Sequence, residues 1–229
     1  MSRQIVLDTE TTGMDPATGD RIVEIGCVEM VDRMLTGNHF HVYINPERDM
    51  PVEAFNVHGL SEEFLSDKPV FATIAQDFAN YIDGGELIIH NAAFDMKFLD
   101  HELEKVGLKS LTSQCSVIDS LKVARDMYPG QRNSLDALCK RLGIDNSKRT
   151  LHGALLDSEI LAQVYLAMTG GQDSLFGGDV AEEKVMEVSQ SLLDAVEYNL
   201  NSSTDKTRVI HANADEMNAH NDFIAKFKK

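Results

Sequence analysis

An apolar run near the start of the chain ends in two closely spaced carboxylates, and this constrains the fold more than any other feature. Ile5, Val6 and Leu7 form the run, and Asp8 and Glu10 follow it. Because alternate residues of a strand point to the same face, the pattern predicts a buried strand that brings both carboxylates together. Two converged anions raise each other's pKa unless a cation lies between them. A hard divalent ion with oxygen ligands accounts for the pair.

The same segment is also typical of an ordinary strand exit. Residues 8–13 are polar where a chain would turn in water, and Gly13 could supply a positive φ angle. Taken alone, the pair of acids favours this simpler interpretation. Further carboxylates downstream, in equally unusual settings, favour the metal site.

Apolar patterning predicts three strands followed by alternating helices and strands. The first strands are predicted at residues 4–8, 21–31 and 38–44, and they suggest an antiparallel meander. Later strands are predicted at 86–89 and 115–118, and helices at 71–82, 94–106, 119–127, 134–142 and 153–168. These elements predict an α/β fold with a mixed sheet flanked by helices.

The 229 residues, 43% of them hydrophobic, suffice for one α/β domain and an appendage. We predict a domain at 1–169, a Gly- and Asp-rich linker at 170–179, and a flexible tail at 180–229. Apolar residues from Val185 to Leu200 fall at helical spacing. That stretch is either a helix that faces a partner or a weakly ordered tail.

The charge and the cysteines exclude several classes of protein. A formal net charge of −16 does not suit a protein that grips long duplex DNA unaided, so a polyanionic substrate would need metal ions or a basic partner. Cys27, Cys115 and Cys139 have no paired spacing and predict buried free thiols rather than a disulfide framework or zinc site. The sequence suggests neither an export signal nor a membrane span, so we expect a cytoplasmic protein.

Two more acids and a histidine stand beside predicted apolar elements. Asp95 lies where a predicted strand gives way to a helix, and helix capping would also explain it. Asp157 lies on an otherwise apolar helix, where an acid needs a partner. His152 precedes that helix, and its simpler interpretation is a surface histidine.

Together, Asp8, Glu10, Asp95, His152 and Asp157 resemble the signature of the DEDD-type 3'-to-5' exonucleases, in the branch that uses histidine. The strings LDTETTG, HNAAFD, NSLDALC and DNSKRTLHGALLD extend the resemblance over about residues 3–170 to the proofreading members of this family. The resemblance implies a ribonuclease H-like fold with a five-stranded mixed sheet. It also implies hydrolysis of nucleotides from DNA 3' ends.

Phosphodiester hydrolysis requires a nucleophile, charge neutralisation and stabilisation of the leaving alkoxide, and two divalent ions about 4 Å apart can provide all three. The resemblance implies that Asp8 binds both ions, that Glu10 and Asp157 each help to fix one, and that Asp95 acts directly or through water. Histidine titrates near neutral pH, so His152 can take a proton from the attacking water. Oxygen ligands favour Mg²⁺ or Mn²⁺ over zinc.

The resemblance also implies a set of substrate contacts. They comprise three of the acids and five further residues: Asp8, Glu10, Asp157, Thr9, Thr11, Glu53, Val57 and His58. Phe55 and Val57 could instead be plain core residues. Sites of this family accept a short single-stranded 3' end, and a mismatched end frays at lower cost than a paired one.

Partner sites are predicted after the catalytic domain. Gln172, Leu175 and Phe176 resemble the Gln-x-x-Leu-Phe peptide that bacterial replication proteins insert into the beta sliding clamp. Such a short match arises by chance fairly often, but its place in a flexible linker with two apolar anchors favours it. The tail at 180–229, most visibly 209–220, is implied to bind the polymerase alpha subunit. Whether a small theta-like subunit also binds is left open.

These observations predict a metal-dependent proofreading exonuclease that is a subunit of a bacterial replicative polymerase. One alternative is a free-standing relative that trims RNA or short oligonucleotides, which would need neither the clamp peptide nor the tail. Another is a non-catalytic subunit that bridges clamp and polymerase. That alternative leaves five converging polar residues unexplained.

Overall fold

The computed structural model describes residues 2–170. Its strands are β1 (Arg3–Thr11), β2 (Ile22–Val31), β3 (Met34–Tyr43), β4 (Glu86–Ile89) and β5 (Val117–Asp119). Its α-helices are α1 (Val52–His58), α2 (Glu62–Leu65), α3 (Phe71–Ile82), α4 (Ala92–Lys105), α5 (Ser120–Met127), α6 (Leu135–Leu142) and α7 (Ala154–Gly170). Short 3-10 helices lie at Pro16–Thr18 and Leu111–Ser113.

The strands form one mixed sheet in the order β3-β2-β1-β4-β5. β1, β2 and β3 pair antiparallel, which confirms the predicted meander, and β4 and β5 extend the sheet in parallel with β1. The predicted α/β class and five-stranded mixed sheet are confirmed. Parallel pairing brings the carboxyl ends of β1 and β4 to the same edge of the sheet.

Central strand β1 is buried on both faces, which explains its continuous apolar run. Ile5 and Leu7 are fully buried in a core with α3 and α4, to which Phe78 and Phe98 contribute. Val6 points the other way and packs with residues of α7 such as Leu161. The sheet is therefore covered by helices on both faces, and β1 is its middle strand.

Some boundaries differ from the sequence predictions. β1 continues through Glu10 to Thr11 instead of ending at Asp8, and β3 begins at Met34 instead of Asn38. Helices α1 and α2 were not predicted, because 7 and 4 residues are too few to show a helical period. The predicted burial of all three thiols is wrong for Cys115, which is half-buried, whereas Cys27 and Cys139 are buried.

Helix α7 ends the described part of the chain at Gly170. The predicted clamp peptide at 172–176 and the predicted tail at 180–229 lie outside the described residues and stay predictions. Within residues 2–170, no helix combines the length and the apolar character that crossing a membrane requires.

Candidate active site

The five predicted catalytic residues meet at the carboxyl end of β1. Asp8 and Glu10 lie on β1, Asp95 lies in the first turn of α4 and Asp157 in the first turn of α7, and His152 lies in the loop before α7. Asp8, His152 and Asp157 line one cavity of about 290 Å³. Ligand atoms of Glu10, His152 and Asp157 all lie within 4.8 Å of one another.

Thr9, which lies between Asp8 and Glu10, holds Asp95 against β1. The Thr9 hydroxyl and backbone N–H both donate to Asp95 Oδ1, at 2.7 and 3.1 Å. Burial raises the pKa of the Asp95 carboxyl to about 7, although the hydrogen bonds from Thr9 oppose this shift. These contacts tie Asp95 to β1, and the side chain of the N-cap residue Asn91 makes no capping hydrogen bond to α4.

Glu10 is a buried carboxylate whose charge is only partly compensated. It is 7% exposed, and its Oε1 atom has no hydrogen-bond partner among the described residues. Burial, with the charges of Asp157 and Glu24, raises its pKa to about 8. Burial and the charges of Asp95, Glu10 and Asp157 also raise the pKa of Asp8. A cation between these carboxylates would satisfy the free oxygen and relieve the repulsion, so the site fits the predicted metal ions.

Asp157 differs from the other acids because a cationic side chain contacts it. Arg149 donates from Nε to Oδ1 at 2.5 Å and from Nη2 to Oδ2 at 2.7 Å. Burial alone would raise the pKa of the Asp157 carboxyl, but hydrogen bonds from Arg149 and His152 hold it below its ordinary value. His152 Nδ1 lies 3.4 Å from Asp157 Oδ2, which makes His152 part of the site rather than an unrelated surface residue.

The first turn of α7 packs directly on β2, and this contact places Asp157 beside Asp8. Gly26 is the β2 partner of Asp8, and a Cβ atom there would lie 2.2 Å from the backbone of Ala154. The Ser158 hydroxyl donates to the Gly26 carbonyl at 2.9 Å. Glycine is therefore needed at this position for α7 to approach the sheet.

A second cavity, of about 470 Å³, adjoins Glu10. The five further residues predicted to contact substrate all line it: Thr9, Thr11, Glu53, Val57 and His58. Val57 is 45% exposed and Phe55 is 40% exposed, so the alternative that these are plain core residues is wrong. Burial lowers the pKa of His58. The cavity thus offers apolar and polar side chains next to the acids.

Two charged residues of the site were missed by sequence reasoning. Glu24 is buried opposite Glu10 on the neighbouring strand and pairs with His41 Nε2 at 2.7 Å. Glu24 could have been found from the sequence, because it is a charged residue inside an otherwise apolar strand. Arg149 stands within the string DNSKRTLHGALLD, but nothing in its spacing shows that the loop folds back onto Asp157.

The sheet has this mixed strand order, and acids gather at the carboxyl end of its first strand. This arrangement defines an exonuclease-type domain, and comparison with known proteins supports that class. A family model described as Exonuclease matches residues 5–165. Relatives named DNA polymerase III subunit epsilon include one from Pasteurella multocida, 54% identical over 100% of this chain and 90% of the relative. One from Escherichia coli is 54% identical over 96% of this chain and 91% of the relative.

Solved structures are similar as well. Exonuclease X in complex with 5' overhanging duplex DNA has a TM-score of 0.57 and 27% identity, covering 80% of this chain and 96% of that chain. Escherichia coli Exonuclease I in complex with a dT13 oligonucleotide has a TM-score of 0.67, covering 77% and 43%. Its 20% identity supports the fold alone.

The chain belongs to the exonuclease family and, within it, to the family of DNA polymerase III epsilon subunits. Exonucleases of this family typically use divalent metal ions, and Glu10, His152 and Asp157 are close enough together to hold one.

Proposed function

We propose that the protein is the proofreading 3'-to-5' exonuclease of a bacterial DNA polymerase III, which removes mismatched 3'-terminal nucleotides from DNA by hydrolysis. One observation carries this proposal: four acids and a histidine, 149 positions apart in sequence at their extremes of Asp8 and Asp157, converge at one end of the sheet. Helix caps or surface residues would have no reason to converge.

The cofactors that fit the site are two divalent ions, Mg²⁺ or Mn²⁺. Asp8, Glu10 and Asp157 would hold them, with Asp95 directly or through water. Support comes from the unpartnered Glu10 Oε1 atom and from the raised pKa of three buried carboxyls. When bound, the ions neutralise charge on the phosphoryl oxygens and make water a better nucleophile. Carboxylate-rich ligands favour these hard ions over softer metals.

His152 is placed to move the proton of the attacking water. Its side chain is 48% exposed and lines the same cavity as Asp8 and Asp157, so it can pass a proton on to solvent. The Val57 carbonyl accepts a hydrogen bond from the His152 backbone N–H at 3.0 Å, which ties the histidine loop to α1. The general base is thereby joined to the helix that lines the second cavity.

The cavity beside Glu10 is the binding site for the 3'-terminal nucleotide. Val57 and Phe94 give it apolar surface for a base, and Glu53, His58 and the threonines of β1 give it polar groups. A single frayed nucleotide would occupy this cavity, so only a short stretch of DNA touches an otherwise acidic chain. That limited contact reconciles a nucleic-acid substrate with a net charge of −16.

The partners proposed for the chain are the polymerase alpha subunit and the beta sliding clamp. The tail at 180–229 would bind the first, and Gln172, Leu175 and Phe176 would bind the second. The names of the relatives support the association with a polymerase. Binding of a small theta-like subunit to the catalytic domain is a further proposal that rests on the family resemblance alone.

A primer-degradation assay tests the proposed function. We expect the full chain with Mg²⁺ to degrade a mismatched DNA primer faster than a matched primer or RNA, and faster still with its polymerase. Replacing Asp8 or Asp157 with Ala should reduce the rate roughly 100-fold or more, because each removes charge stabilisation from the transition state. Asp77→Ala, which removes an exposed acid from α3, is the matched control. Full Mg²⁺-dependent activity in either active-site variant would refute the assignment, and a preference for RNA would favour the trimming alternative.

A further inference from the structure

Arg149 is a charged residue whose side chain is almost entirely buried in the candidate active site. It lies in the loop between α6 and α7, and its side chain is only 7% exposed. Its guanidinium contacts both oxygens of Asp157, and its Nη2 atom lies 3.0 Å from His152 Nδ1. Its Nη1 atom donates to Asp136 Oδ1 at 2.9 Å. A single side chain thus touches one proposed metal ligand and the proposed general base.

These contacts engage the atoms that the reaction needs. Arginine has no acceptor, so Arg149 is the donor to the His152 ring, whose Nε2 lies 3.4 Å and whose Nδ1 lies 3.0 Å from Nη2. The contact with Nδ1 is shorter than the 3.4 Å between the same nitrogen and Asp157 Oδ2. The planar guanidinium also fills the two in-plane positions from which a cation would approach the Asp157 carboxylate. A divalent ion and Arg149 cannot hold these oxygens in the same way at the same time.

We propose that Arg149 is a positioning residue that holds Asp157 and His152 in place and gives up Asp157 when a divalent ion binds there. The inference rests on the proposed function, because it concerns one of the two ions of that site. Arg149 supplies the positive charge that Asp157 needs beside three other acids, and it orients the histidine ring. Ion binding then exchanges one cation for another at the same carboxylate.

Asp136 provides the place to which the guanidinium moves. Its side chain is 61% exposed at the mouth of the smaller cavity, and Asn146 Nδ2 donates to it at 2.9 Å, which fixes its position. Arg149 already contacts Asp136, so it needs to break only its two hydrogen bonds to Asp157. The exchange therefore requires a small rotation of one side chain and no rearrangement of α7.

The test measures Mn²⁺ binding by calorimetry on the full chain, without substrate. Arg149→Met keeps the apolar stem and removes the competing cation, so the weaker of the two ions should bind roughly tenfold tighter, a factor equivalent to one charge-assisted hydrogen bond. Arg149→Lys keeps the positive charge but loses the planar group that bonds to both Asp157 oxygens. Its affinity for Mn²⁺ should lie between those of the wild-type protein and Arg149→Met. Lys148→Ala removes an exposed charge from the same loop and should leave the affinity within about twofold.

Thermal unfolding supplies the second measurement. In EDTA, Arg149→Met should melt below the wild-type protein, because Asp157 loses its partner, and saturating Mn²⁺ should remove that difference. An equal deficit with and without Mn²⁺, together with unchanged or weaker Mn²⁺ binding by Arg149→Met and Arg149→Lys, would overturn the exchange and leave Arg149 a structural residue. Failure of the wild-type chain to bind Mn²⁺ would instead remove the metal site and the proposed function with it.

Discussion

Glu10 shows that the ionised form of a single residue in the site can have an unfavourable electrostatic free energy. Its carboxyl is buried, faces Glu24 across the strand pair, and leaves one oxygen without a partner among the described residues. Arg149 holds the pKa of Asp157 below its ordinary value, but at Glu10 burial and the charges of Asp157 and Glu24 outweigh it and raise the pKa to about 8. Such a group favours the uncharged form unless a cation is bound, so it links folding stability to both pH and metal.

Glu10→Gln should therefore stabilise the protein at pH 8 in EDTA. The folded-state pKa of about 8 exceeds the ordinary value of 4.5, so the folded protein keeps a proton that the unfolded chain releases. Stability is then lost as pH rises between these two values. Near pH 5 the variant should match the wild-type protein, because Glu10 is protonated when folded. Melting temperatures at both pH values check this.

The exposed Glu104→Gln on α4 is the control, and it should change neither melting temperature appreciably. A Glu10→Gln variant that melts below the wild-type protein at pH 8 would contradict the electrostatic explanation. It would indicate that Glu10 is stabilised by contacts rather than destabilised by its neighbours.

At the scale of single residues, the sequence predicts the four acids but not Arg149, the cationic residue beside them. Strand periodicity suggests that Asp8 and Glu10 share one face, but the pair alone suited a strand exit as well, and the predicted strand ended at Asp8. Asp95 and Asp157 were recognisable as acids beside apolar elements, and a family resemblance joined the set. Arg149 was not predictable, because its contact depends on how an irregular loop returns to the sheet, and no periodicity encodes that path.

At the level of elements, the packing of α7 against β2 positions the site. The helix can reach the sheet only because Gly26 lacks a side chain, and the Ser158 hydroxyl bonds to the Gly26 carbonyl at the same point. The sequence predicted both elements from their apolar patterns. It could not predict this contact, because a glycine inside a strand is equally typical of a bulge or a bend. Helix α1, which lines the nucleotide cavity, was missed because seven residues do not complete two full helical turns.

Gly26→Ala should move the first turn of α7 away from the sheet. An added methyl group would overlap the backbone of Ala154, which cannot yield as a side chain can. Overpacking of this kind destabilises by about 1–3 kcal/mol, and displacement of Asp157 should reduce nuclease activity by about 100-fold. Thermal unfolding and the primer assay measure the two effects.

Gly153→Ala is the matched control for stability, because it adds the same methyl group at the same helix junction, where no atom lies within 4 Å of the new carbon. It should melt close to the wild-type protein. If Gly26→Ala behaved like Gly153→Ala in both assays, the close approach would not be what positions Asp157.

For the whole molecule, the sequence predictions extend over the full chain, whereas the structure describes only residues 2–170. The catalytic half of the prediction concerns residues 2–170, where strand order, helices and site can be compared residue by residue. The partner half concerns residues 172–176 and 180–229, which lie beyond the described part of the chain. Those predictions depend on a short peptide motif and on family resemblance. Neither relies on packing within the catalytic domain, so catalysis and recruitment should be separable.

Two variants of the full chain test that separation, each serving as the control for the other. Replacing Gln172, Leu175 and Phe176 together with Ala should weaken clamp binding at least tenfold, because burying two large apolar anchors contributes about 3 kcal/mol or more. Deleting residues 180–229 should abolish binding to the alpha subunit while clamp binding persists. Both variants should hydrolyse a short oligonucleotide at the wild-type rate, since neither alters the carboxylate site. Unchanged clamp affinity in the triple variant would remove the motif, and co-purification of the truncated chain with the alpha subunit would place that contact within residues 1–179.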